Sequence, residues 1–261
     1  MAATSFRRAL VGFACMCGVV SWLCSTSVEA TTIAIIRTGD QIVIAADSLM
    51  TLYGQRPQLT CKIRRQGDVV FATAGLVSTS NGAIELHSTI TNILRRGLPW
   101  DKQTRQVEEW IREPLLRTLR QMERNLPDQF QAQLRQSFTL HVSLAGIVDG
   151  TPALEMLEYF VERPDGGTLE LRVERFSCPG TCVNTTEVFG IGETEEMMEL
   201  VTQLRRLPQD VTALAHDLVA TEIAHHPNYV GPPVDVIRLG PSGIEWVALK
   251  PACGDSPVEA G

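Results

Sequence analysis

Two runs near the start of this chain show no polar alternation. Thr31 to Thr38 and Gln41 to Ala46 carry apolar residues at consecutive positions, with Gly39-Asp40 between them as a turn. Read as strands, they form a hairpin with apolar side chains on both faces. A sheet built on such strands has to be covered, on at least one face by helices. The 261 residues are 44% apolar and 20% charged, the balance of a folded domain rather than of a disordered chain.

The remaining pattern supplies the cover. A polar loop with Gly54 and Pro57 leads to a second hairpin, Thr60 to Arg65 and Val69 to Ala74. Asn81 to Arg96 has helical spacing through Ile84, Leu86, Ile90, Ile93 and Leu94, and Gly97-Leu98-Pro99 ends it. Thr104 to Arg124 repeats that spacing, with Pro114 inside as a candidate kink. Leu126 to Gln136 is polar and has no clear period. Strands return at Thr139 to Val148, Ala153 to Glu162, Thr168 to Phe176 and Glu187 to Gly190. Glu193 to Arg205 and Pro208 to Ala224 read as helices, then Val234 to Leu239 and Gly243 to Leu249 as a last hairpin. Segregated runs of strands and helices point to a layered α+β architecture. Two sheets face to face, with a helix pair on each outer side, would cover every apolar face. One domain over 31–250 is expected, followed by a disordered tail, 251–261.

Met1 to Ala30 has the composition of a secretory signal. Arg7-Arg8 precede an apolar run, Ala9 to Cys24, and Val28-Glu29-Ala30 is a small-residue cleavage signature. The run of 16 residues is short of the about 20 that a bilayer span needs; an uncleaved anchor is the competing reading. Cleavage after Ala30 removes Arg7, Arg8 and Glu29, taking 23 basic and 30 acidic residues to 21 and 29, a net charge of −8. Such a chain is a poor partner for nucleic acid, whose binding needs basic neutralisation of phosphates. The expected location is secreted or periplasmic.

Cys15, Cys17 and Cys24 would leave with the signal. Cys61, Cys178, Cys182 and Cys253 remain, an even number suited to an oxidising compartment. Cys178-Pro-Gly-Thr-Cys182 holds a turn, so those two can meet locally, which leaves Cys61 and Cys253 as the other pair. Four free thiols are the alternative. One C-x3-C without a second pair at ligand spacing argues against zinc, and no cofactor is expected.

Cleavage after Ala30 would give Thr31 a free α-amine beside its own hydroxyl, a base and a nucleophile in one residue. Asp47 closes the second strand, and Lys62 lies in the β-branched stretch Thr60-Cys61-Lys62-Ile63. A strand lysine is most often solvent-facing; set beside Thr31, its charge would lower the pKa of the amine and hydroxyl. Asp47 would hold it in place. Gly75, ending the fourth strand, could offer a backbone N–H to the attacked carbonyl. Other candidates read as structural: His225-His226 near a helix end, and Gly190-Ile191-Gly192 before a helix. Asn184-Thr185-Thr186 is a glycosylation acceptor only in a eukaryotic host.

Thr31-Thr32-Ile33-Ala34, Val43-Ile44-Ala45-Ala46-Asp47-Ser48, Lys62-Ile63 and Ala74-Gly75 together resemble proteasome-type β subunits and their bacterial HslV-like relatives. These are N-terminal-nucleophile (Ntn) hydrolases with a four-layer αββα sandwich. The resemblance covers Thr31 to about Leu76; beyond that only the element order agrees. It implies Thr31 as nucleophile, Asp47 and Lys62 as its partners, and Gly75 as oxyanion donor. It further implies Thr51 as the residue whose backbone aligns substrate. Met50, Thr60, Arg64, Thr73 and Val77 would line the adjoining pocket, with Arg64 two residues from Lys62 and so on the same strand face.

The chain departs from that pattern in three places. Gly190-Ile191-Gly192 stands where the family has Gly-Ser-Gly, and Pro227-Asn228-Tyr229-Val230-Gly231-Pro232 replaces its Asp-x-Tyr-Ser-Gly-Gly loop. The groups that orient the terminal amine are therefore missing, with Asn228 or His226 as possible substitutes. Lys62 is also one residue closer to Asp47. The expected function is a threonine-type hydrolase of amide, first of all peptide, bonds. A homo-oligomer is expected, with no ATP-driven unfoldase as partner. A non-peptide amidase and a catalytically silent structural protein are the competing readings.

Overall fold

The two unalternating runs pair with each other. Strands β1 (Thr32–Arg37) and β2 (Ile42–Ala46) are antiparallel, Ile35 opposite Ile44, and every residue of both is buried. The computed structural model describes residues 31–50, 58–78, 84–135, 138–182 and 186–253. Within them lie three antiparallel sheets and five α-helices. The first five-stranded sheet has the order β10-β1-β2-β11-β12, where β10 is Glu187–Gly192, β11 Asp235–Gly240 and β12 Gly243–Ala248. The second runs β5-β6-β7-β8-β9, with β5 Ile63–Gln66, β6 Val69–Gly75, β7 Leu140–Val148, β8 Thr151–Glu162 and β9 Glu170–Cys178. Between β2 and β5 a two-stranded ribbon forms from β3 (Leu49–Met50) and β4 (Gln58–Leu59).

Alternation along these strands sorts their side chains into three cores. Ile33, Ile35, Ile42 and Ile44 meet Ile63, Val70, Ala72, Ala74 and Leu154 of the second sheet in one core. Ala34, Ile36, Val43 and Ala45 point the other way, onto α4 (Glu195–Gln203) and α5 (Val211–His225), where Met197, Ala215, Leu218 and Val219 receive them. Phe71, Val142, Leu144, Leu157 and Tyr159 pack under α1 (Leu86–Leu94) and α2 (Trp100–Asn125) in the third. A hairpin apolar on both faces thus finds apolar partners on both.

Several boundaries differ from the sequence reading. Helix α2 starts at Trp100, four residues earlier than the apolar stripe, because Pro99 sets the non-helical φ and ψ of its N-cap. Pro114 lies inside it without ending it. The bond it forfeits is to the carbonyl of Trp110, a residue on the exposed side of the helix. The polar stretch after Leu126 is a helix, α3 (Pro127–Leu134), opened by Pro127 at its first position and anchored by buried Phe130. Pro251–Cys253 forms a short 3-10 turn. The rest of the expected tail and the whole of the expected signal, 1–30, lie outside the described residues. No described helix is long and apolar enough to cross a membrane.

Both cysteine pairs are joined. Cys178 and Cys182 close the turn after β9 with Cα atoms 5.3 Å apart. Cys61 and Cys253 lie 5.6 Å apart by Cα across 192 positions of sequence.

Candidate active site

The end of β2 delivers Asp47 into the interior, and its carboxylate collects four donors. Oδ1 accepts from the Thr32 N–H at 2.9 Å and from Lys62 Nζ at 2.6 Å. Oδ2 accepts from the Leu49 N–H at 3.0 Å and the Gly231 N–H at 3.1 Å. Two oxygens with four donors are fully used as acceptors. Lys62, which stands just before β5, is 1% exposed and Asp47 0%. This lysine therefore does not face solvent, as most strand lysines do. Removing either partner of such a pair would strand a buried charge at a cost of about 3–5 kcal/mol.

Thr31 is joined to that pair through the next residue. The N–H on Asp47 Oδ1 is that of Thr32, so the peptide that follows Thr31 and the Lys62 amine meet on one carboxylate oxygen. The Thr31 carbonyl accepts from Glu193 N at 2.8 Å, and Thr32 Oγ1 donates to the Glu193 carbonyl at 2.7 Å. Thr31 is itself buried, and its Oγ1 has no hydrogen-bond partner among the described residues. A buried hydroxyl without a partner is costly to the fold and available to a ligand.

Two glycines allow close backbone approaches, one of them at Thr31. Gly192 has φ +88°, and a Cβ on it would stand 1.6 Å from the Thr31 carbonyl oxygen. Gly75 ends β6 at φ +95°, and its Cβ would stand 2.5 Å from the Thr139 carbonyl oxygen. Because Ile63 pairs with Ala72, Lys62 and Gly75 lie at the same end of the second sheet. Ile191, in the place of the absent serine, is buried in the core between the two five-stranded sheets.

The other expected site residues are distributed as follows. Met50 and Thr60 are half-buried, and Thr60 donates its N–H to the Ser48 carbonyl at 2.9 Å, one residue from Asp47. Thr51 lies outside the described residues. Val77 is buried. Thr73 is buried and its Oγ1 hydrogen bonds His87 Nε2 at 2.8 Å. Arg64 is an exposed position opposite Phe71. Its charge is felt at His87, whose pKa is pushed down to about 3, first by burial and then by Arg64.

His225 and His226 make separate contacts. His225 Nδ1 bonds the Thr221 carbonyl at 2.9 Å, which with Glu196 raises its pKa. His226 Nε2 lies 3.7 Å from Glu222 Oε2. Among the described residues no three His, Cys, Asp or Glu side chains are grouped to hold a metal. The sequence reading missed His87, Ser48, Gly231 and Glu193 as neighbours of the site. Two of these contribute only backbone groups, which residue type does not reveal.

No protein-family model matches the chain, and no curated protein matches it. Solved structures do. A Gly-1 mutant of Anbu from Hyphomicrobium sp. strain MC1 superposes with a TM-score of 0.55 at 16% identity, over 87% of this chain and 89% of that one. Anbu from Yersinia bercovieri, described as an ancestral beta-subunit, gives 0.53 at 16% identity, over 84% and 87%. These neighbours correct the resemblance drawn from the N-terminal motifs: the chain shares its fold with Anbu, not specifically with proteasome-type β subunits or HslV. The motifs pointed elsewhere because they are few and short, with Thr31, Asp47 and Lys62 as their main content.

Proposed function

We propose that this chain is a threonine-type Ntn amidohydrolase, with 31–250 as one four-layer αββα domain. One observation carries the reading: the Thr31 hydroxyl is buried with no hydrogen-bond partner among the described residues, and the N–H of the next residue, Thr32, shares one Asp47 oxygen with the buried Lys62. Removal of 1–30 frees the Thr31 amine. That amine takes the hydroxyl proton as Oγ attacks the substrate carbonyl. Lys62, held by Asp47, keeps a positive charge beside both groups and favours the neutral amine. The Gly75 N–H serves the oxyanion. The tetrahedral intermediate collapses with loss of the amine product, which receives the proton. Water then releases the acid from Thr31, giving one carboxylic acid and one amine for each amide consumed.

Short or unfolded peptides are the first substrate class, with Thr51, Met50, Thr60, Arg64, Thr73 and Val77 as the adjoining subsite. The protein is secreted or periplasmic, a location that suits its two disulfides. It works as a homo-oligomer without an unfoldase.

Terminal sequencing of the secreted protein should return Thr31 first. Purified Thr31→Ala protein should lose hydrolysis of fluorogenic peptide amides while keeping the far-UV and near-UV spectra of the parent. Parental turnover in that variant overturns the assignment.

A further inference from the structure

A second buried ion pair flanks Asp47, and the hydrolytic reading makes no use of it. Lys250 Nζ donates to Asp235 Oδ2 at 2.5 Å and to Ser48 Oγ at 2.5 Å. The Lys250 N–H donates to Asp235 Oδ1 at 2.9 Å. The Ser48 hydroxyl donates onward to the Pro233 carbonyl. All three side chains are buried. Apolar pairs of similar volume often hold strands as well as buried ion pairs do; what distinguishes these charges is their direction. They aim at the neighbours of Asp47: Asp235 pairs with Ala46 in the β2–β11 ladder, and Ser48 follows Asp47.

Ser48 governs the second oxygen of that carboxylate. Its N–H donates to the Gly231 carbonyl at 2.9 Å, and Leu49 comes next in the chain. Leu49 and Gly231 are the two donors to Asp47 Oδ2. Lys250 itself lies past the end of β12, where no ladder holds it. A disulfide does: Cys253 donates its N–H to the Lys250 carbonyl at 2.9 Å and is bonded to Cys61, the residue before Lys62.

We propose that Lys250 is a positioning residue for the Thr31–Asp47–Lys62 centre, delivered by the Cys61–Cys253 disulfide. The lysine clamps Ser48, the clamp fixes the turn that carries the Asp47 carboxylate, and the centre is set only in the oxidised protein. Its effect on turnover rests on the hydrolase reading; its geometry does not.

Amide hydrogen exchange of the mature protein tests it at Thr32, Leu49 and Gly231, whose N–H groups report the Asp47 carboxylate directly. Two variants are needed. Lys250→Met with Asp235→Leu removes the clamp without leaving an unpaired buried charge, and Cys61→Ser with Cys253→Ser removes the tether. In each, exchange at Leu49 and Gly231 should quicken about tenfold or more, while core amides of Leu144 and Leu157 stay protected. The kcat for a peptide amide should fall by about tenfold or more with little change in KM, as expected when a reacting group is misplaced. Unchanged protection at Leu49 and Gly231 in either folded variant overturns the proposal. If the charge-free variant also loses its core amides, the Cys61→Ser, Cys253→Ser variant alone decides. Responsive amides in a protein that cleaves no amide would keep the clamp and sink the hydrolase reading. Fully active, unperturbed variants would do the reverse.

Discussion

Gly192 illustrates how much of the site depends on single atoms. Its φ of +88° and the 1.6 Å approach of a virtual Cβ to the Thr31 carbonyl oxygen leave no room for a side chain. Gly192→Ala should destabilise the protein by more than about 2 kcal/mol, read from urea unfolding. His87 gives a prediction in pH. Its folded pKa of about 3 lies below the ordinary 6.5, so between those values the unfolded chain binds the extra proton. Stability therefore falls as pH drops through that window. For a ring only half-buried, the loss by pH 4.5 should be on the order of 1–2 kcal/mol. His87→Gln should flatten the difference between unfolding curves at pH 7.5 and 4.5; an equally steep fall in the variant would place the acid sensitivity elsewhere. At this scale Thr31, Asp47 and Lys62 stood out in the sequence, because a hydroxyl just after a small-residue signature and two charges bordering apolar strands are unusual. Asp235, alone between Val234 and Val236, carried the same signal and was passed over. Lys250 carried none, since nothing local marks a lysine after a last strand as buried.

The elements were legible where periodicity was long and hidden where a backbone group decided. Ile90, Ile93 and Leu94 mark α1, and Val107 through Met122 mark α2, yet both starts lie elsewhere, because a stripe says which face is buried and not where the first turn closes. At α5 a side chain decides, and the start expected at Pro208 gives way to Asp210. Its Oδ1 accepts from Thr212 N at 3.0 Å and Ala213 N at 2.9 Å, capping α5. Asp210→Ala should lower stability by about 1 kcal/mol, measured by thermal unfolding. No change would mean that α5 is held by its packing on β1 and β2 alone. The short ribbon of β3 and β4 had no periodic signal at all. Two-residue strands are too brief to have one, and their pairing depends on Ser48 being bonded to Thr60 and Gly231.

The molecule as a whole is closed by contacts between distant parts of the chain. That the apolar strands would be covered was legible, because they have no face to give to water. The strand order was not, since β10 and β11 reach β1 and β2 across more than half the sequence. The Cys61–Cys253 bridge spans 192 positions, and a loop of that size stabilises by roughly 5 kcal/mol at most in the chain-entropy estimate. Unfolding by urea with and without reductant should show a midpoint lowered by a sizeable part of that, whereas opening Cys178–Cys182, which closes a five-residue turn, should shift it far less. Equal shifts would locate the stabilisation outside loop closure.

The order in which the chain emerges during synthesis makes the central hairpin vulnerable. β1 and β2 appear first, yet the strands that pair with their edges begin only at Glu187 and Asp235. Until then these two strands, buried at every residue in the folded protein, have bare edges and two uncovered faces. Such distant pairing is slow to form, and an exposed apolar edge in the meantime invites other chains. Yield on refolding from denaturant should therefore fall steeply with protein concentration, and a holding partner for the nascent chain would act first on Thr32–Ala46.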